Sequence, residues 1–105
     1  MSYVKSHWDE EDVDFYWQID DDGYVQRHVE IERGTGRVRG AASLSEWNEA
    51  LAEGLDAVQR YSARYGGIAE GPTSEWDPGW PRELLTSDQY EQVWRDARAA
   101  VQARP

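Results

Sequence analysis

The chain opens on alternation. In residues 3–8 (YVKSHW) polar and apolar positions alternate among β-forming residues, which predicts a short strand. The acidic run 9–14 (DEEDVD) reads as a connector. A second strand is expected at 14–20, with Phe15, Trp17 and Ile19 on one face, and a third at 24–33, with Val25, Val29 and Ile31 on one face. Residues 37–42 (RVRGAA) read as a short fourth strand. From 43 to 65 the period lengthens. Leu44, Trp47, Leu51, Leu55, Val58 and Tyr65 recur at helical spacing, Ser43 with Glu46 forms a capping box, Gly54 weakens the middle enough to allow a break, and Gly66-Gly67 ends the helix. A long Gly/Pro-rich loop at 66–82 follows. Ser87 then caps a last helix at 88–102, with the stripe Tyr90, Val93, Trp94, Ala97 and Val101 and an i,i+4 pair Glu91–Arg95.

Side-chain parity constrains the turns, because a slip of one residue moves an apolar set to the other face. A two-residue Asp22-Gly23 turn would set Trp17 against His28. A three-residue Asp21-Asp22-Gly23 loop pairs Ile19 with Val25 and Phe15 with Val29, with Gly23 in the left-handed position, and is preferred. At the next turn, a two-residue Gly34-Thr35 loop pairs Ile31 with Val38, Glu32 with Arg37 and Glu30 with Arg39. Four strands followed by two helices predict a single α+β domain over 1–105, an antiparallel meander with both helices on the Phe15/Trp17/Val29/Ile31 face.

Composition narrows the possibilities. There is no cysteine, so disulfides and thiolate metal sites are excluded and nothing calls for an oxidising compartment. The charged start lacks the apolar core of a signal peptide, and no run approaches a membrane span, so a cytoplasmic protein with no membrane partner is expected. Net charge is −10, and residues 1–23 carry eight acids against the single base Lys5. Such a field repels nucleic acid and steers basic partners; it also simply keeps a small protein soluble.

The candidate chemistry is sparse. With the expected register, Tyr16 and His28 share the face away from the helices, joined by Tyr24 and by Tyr3, Lys5 and His7 of the first strand. That face is either a shallow ligand site (Tyr16, His28, Tyr24, His7) or a solvated sheet surface. The two histidines lack metal-ligand spacing, so no metal is expected. The DIDDDG stretch fails as an EF-hand, having Gln18 and Val29 where acids are needed, and Asp20 to Asp22 read as turn formers. No G-x-S-x-G or phosphate loop occurs, and no cofactor is expected. Trp76 and Trp80 in the long loop either anchor a protein interface or fold back over the core.

The stretch FYWQIDDDGYVQRHVEIERG, with Tyr90 to Trp94, resembles small acidic bacterial domains, some of which look like immunity proteins to toxins. Arginine outnumbers lysine ten to one, as in proteins from GC-rich, actinobacterial-type sources. The resemblance brings no catalytic residues. It implies a non-enzymatic module that binds, and inhibits, a basic protein acting on nucleic acid. Asp9, Glu10, Glu11, Asp12, Asp20, Asp21 and Asp22 would steer the partner and Trp76 and Trp80 anchor it. The other expectations are a small-molecule binder or minor enzyme at the Tyr16/His28 face or the Trp76–Trp80 loop, and a self-associating subunit, which six tryptophans would allow.

Overall fold

Alternation and turn chemistry deliver the expected meander in the computed structural model, which describes residues 1–76 and 80–104. Strands β1 (Ser2–Trp8), β2 (Val13–Ile19), β3 (Val25–Glu32) and β4 (Val38–Ser43) are joined by α1 (Leu44–Glu53) and α2 (Leu55–Tyr65) to a two-residue strand β5 (Glu83–Leu84) and helix α3 (Ser87–Gln102). The sheet order is β4-β3-β2-β1-β5, antiparallel between β1 and β2, β2 and β3, β3 and β4, and β1 and β5. The fold is therefore α+β, with a fifth strand beyond the four the sequence predicts. No helix among the described residues is long and apolar enough to cross a membrane.

The β2–β3 hairpin uses both registers that parity offers. Next to the turn, Ile19 faces Val25 as the three-residue loop requires, and Gly23 is left-handed at φ 89°. A bulge then inserts Gln26 into β3, and from there Trp17 faces His28 and Phe15 faces Glu30, not Val29. The reason is polar as well as apolar. The buried Trp17 indole N–H needs an acceptor, and the shift brings His28 Nδ1 to 3.2 Å from it. The same shift frees Val29 and Ile31 for the opposite face. A second irregularity sits between β3 and β4. Ile31 faces Val38 as expected, and Glu32 N–H donates to Arg37 O, but Glu30 faces Gly40 in place of Arg39. The extra residue turns Arg39 out to Glu32 (3.0 Å) and Glu11 (2.8 Å).

The helices divide between the two faces, which corrects the expectation that both cover one. Trp17, Ile19, Val4, Val25, Ala42 and Ile68 form a core under Leu44, Trp47, Tyr61, Ala69, Trp76 and Trp80. Val29 and Ala41 form the other with Ala97 and Val101 of α3. Because both faces are covered, the polar face expected around Tyr16 and His28 does not form. Gly54, at φ 126°, breaks the long helix in two. Ala50 of α1 and Ala57 of α2 are buried, while Leu51 and Leu55 of the expected stripe face solvent. Helix α3 is capped one residue earlier than expected, by Thr86 in a full capping box with Gln89, and of its stripe Tyr90, Ala97 and Val101 are buried and Val93 and Trp94 half-buried.

Two arginines hold α3 in place. Arg27 stacks between Tyr90 and Trp94, 5.1 and 5.0 Å from the ring centres, and pairs with Glu91, which therefore does not reach for Arg95. Arg98 stacks on Tyr65 and Trp94 and donates to both Glu46 oxygens at 2.7 and 3.0 Å. Glu46 is the third residue of α1, so this pair ties the two helix layers together around the β4 edge. It also occupies the Glu46 carboxylate, leaving the expected capping box half-made: Ser43 Oγ accepts from Glu46 N–H, with no return bond.

Candidate functional site

The acidic block at the start of the chain is split by the fold. Asp9 to Asp12 lie in the β1–β2 connection and Asp20 to Asp22 in the β2–β3 turn, at opposite ends of β2. A seven-residue strand sets them about 20 Å apart. The two ends differ in what surrounds the carboxylates.

At the first end, arginines converge. Asp14 is buried and accepts from Arg33 Nη2 at 2.7 Å, while its Oδ1 lies 2.8 Å from His7 Nδ1. Burial alone would push the Asp14 carboxyl up; the hydrogen bonds from Arg33 and His7, with the nearby Lys5 and Arg33 charges, outweigh it and hold the group below its ordinary value of 3.8. His7 Nε2 lies 3.1 Å from Asp12 and 3.4 Å from Asp9. A neutral imidazole carries one N–H, so only the imidazolium donates to Asp14 and Asp12 together. Asp12 takes a left-handed backbone, φ 53°, and its carbonyl accepts from Arg33 N–H. Glu11 pairs with Arg39, and Glu32, with Arg37 and Arg39 beside it, is held below its ordinary value chiefly by the Arg39 hydrogen bond.

At the second end, no arginine or lysine pairs with an acid among the described residues. Asp20 is spent on the turn: Oδ1 accepts from the N–H of Asp22 and Tyr24, and Oδ2 from Gln26 Nε2. Asp21 meets only the Met1 amino group, at 2.9 Å. Asp22 is exposed. The segment 70–75 docks here, Thr73 N–H donating to Gly23 O at 2.8 Å, and brings Glu70 and Glu75 to the same end. Beside them, Tyr24, Leu44, Trp47, Leu51 and Ile68 line an apolar groove of about 230 Å³, with Glu70 at its margin.

The aromatic loop folds back. Trp17, 2% exposed, packs with Trp76 and Trp80 at centroid distances of 4.9 and 5.7 Å and with Phe15 at 5.4 Å. Trp76 and Trp80 are half-buried lids on the core; Asp77, Pro78 and Gly79 lie outside the described residues. Ser6 Oγ fastens the loop's far side by donating to Pro81 O.

The alternative ligand set is dispersed. Tyr16 and His7 lie on the α3 face, His28 on the other, and Tyr24 at the exposed turn. His28 is 7% exposed and fully committed: Nδ1 accepts from the Trp17 indole and from Ala69 N–H at 3.1 Å, and Nε2 faces Glu30 Oε1 at 2.8 Å. Two donors at Nδ1 fix the neutral Nε2–H tautomer, which makes His28 a buried connector between sheet and loop. No cluster of metal-ligating side chains occurs among the described residues.

Sequence reasoning missed the groove. Helical spacing puts Leu51 in one stripe with Trp47, whereas Leu51 is exposed and Trp47 packs half-buried against the core. Ile68 and Glu70 sat in an unassigned loop. The chain matches no family model, no curated protein and no solved structure.

Proposed function

We propose that the protein is a non-enzymatic, acidic protein-interaction module whose partner is a basic protein, of the class that acts on nucleic acid, and which it inhibits. One observation carries this reading. Arg27, Arg33, Arg37, Arg39 and Arg98 are held in internal ion pairs, and the acids of the Asp20–Asp22 end meet no arginine or lysine among the described residues, in a chain of net charge −10. A field of that kind accelerates encounter with a positive surface and repels a polyanion. The Asp20–Asp22 end supplies the steering carboxylates. Trp76 and Trp80 act through the core by holding the 66–76 segment in place, not as anchors.

The test is capture on immobilised protein from a lysate of the cells that make it, at low and at high salt. A basic partner retained at low salt and released at high salt is the expected result. A protein that retains nothing under either condition, or only neutral and acidic proteins, overturns the reading.

A further inference from the structure

The groove beside the Asp20–Asp22 turn has the composition of a docking site and the wrong composition for a metabolite. Its walls are Tyr24, Leu44, Trp47, Leu51 and Ile68, and its volume of about 230 Å³ has room for a Leu- or Phe-sized group. Small-molecule sites combine apolar walls with several converging polar groups. Here Asn48 and Glu70 are the polar side chains in the lining, and no cation is among them. Leu51 and Tyr24 remain 54% and 45% exposed, an unfavourable state for large side chains that lie side by side. The charge at this groove is negative: Glu70 is in the lining, Asp22 lies two residues before the lining residue Tyr24 in the chain, and Glu75 is on the segment that docks on the turn through Thr73 N–H to Gly23 O.

We infer that this groove receives a segment of the basic partner that presents one large apolar side chain flanked by Lys or Arg. The inference rests on the acidic-module reading and adds its contact surface. The apolar side chain fills the groove between Trp47 and Ile68, and the flanking cations meet Asp22 and Glu70. An apolar centre with a charged rim is the usual anatomy of a protein interface. Charge complementarity selects the occupant, since a neutral or acidic segment would leave these carboxylates unanswered.

Two probes separate the components. The isotope-labelled full chain is titrated at low salt with a short amphipathic Leu/Lys peptide, and with a peptide of equal charge in which Gln replaces Leu. The Leu/Lys peptide is expected to shift the amides of Tyr24, Leu51, Ile68 and Glu70 and the Trp47 indole, and the Gln/Lys peptide to leave the groove unmoved. Leu51→Ala, on an exposed helical position where alanine favours the helix, should weaken the Leu/Lys peptide about tenfold. If both peptides shift only acidic positions equally and Leu51→Ala changes nothing, the groove is not the contact surface and the acidic-module reading stands. If neither peptide shifts any resonance, that reading falls with it. If the same groove resonances move with protein concentration alone, a second copy of the chain is the occupant and the inference is overturned.

Discussion

The two ends of strand β2 carry similar sequences of acids and have opposite characters. At the Asp9–Asp14 end, Arg33 meets Asp14, Arg39 meets Glu11 and His7 lies between Asp12 and Asp14, a network that closes the β1–β2 connection onto the β3–β4 turn. At the Asp20–Asp22 end, one aspartate builds the turn, one meets the Met1 amino group, and one faces solvent two residues before Tyr24 of the groove. Acid density along the chain is thus not the same quantity as field at the surface. What converts one into the other is where the hairpins place the arginines, and the meander brings the β3–β4 turn to the first end only.

The largest effect that would distinguish the ends is on stability. Asp14→Ala removes a buried carboxylate that accepts from Arg33 and lies against His7, and should cost about 2 kcal/mol in urea unfolding. Asp22→Asn should leave the midpoint unchanged. An equal loss from both would erase the distinction between a structural end and a free one.

Acid titration sharpens the same contrast. The folded-state values of Asp14, Glu46 and Glu91 are depressed below ordinary values of 3.8, 4.5 and 4.5, so the unfolded chain binds more protons than the native one in that range. Their stabilisation is therefore complete above about pH 5 and is lost as pH falls through 4 toward the native values. Unfolding free energy measured from pH 6 to 3 should drop, and Asp14→Ala should make the drop shallower. A wild-type chain equally stable at pH 6 and pH 3 would contradict the ion-pair geometry.

A smaller effect is expected within the second end. Asp20→Ala removes three hydrogen bonds from the turn and should cost about 1 kcal/mol, whereas its exposed neighbour Asp22 contributes charge alone. Loss of the Tyr24 and Gln26 amide shifts in Asp20→Ala, with the rest of the spectrum intact, would verify the assignment.

Much of the fold was legible because local signals agree with it. The DDG turn, the alternation in β2 and β3 and the Tyr90–Val101 stripe each specify their element without help from the rest of the chain. The misreadings share one cause, the assumption of a sheet with one wet face. Under it a histidine opposite Trp17 looked like a mismatch. In a sheet covered on both sides, a tryptophan N–H needs a buried acceptor, and a bulge that supplies it is favourable. The groove was illegible for a related reason: residues 68–71 form one of its walls against α1, and where that loop segment settles is not set by local periodicity.

The most direct test of the central claim is the association rate of the Leu/Lys peptide with two charge-matched double variants, by stopped-flow tryptophan fluorescence at low salt. Asp22→Asn/Glu70→Gln should slow association several-fold, with the difference vanishing at high salt, while Glu11→Gln/Asp12→Asn, whose carboxylates already meet Arg39 and His7, should change it little. Equal slowing by the two pairs, or slowing by the second alone, would contradict the assignment of the free acidic surface to the Asp20–Asp22 end.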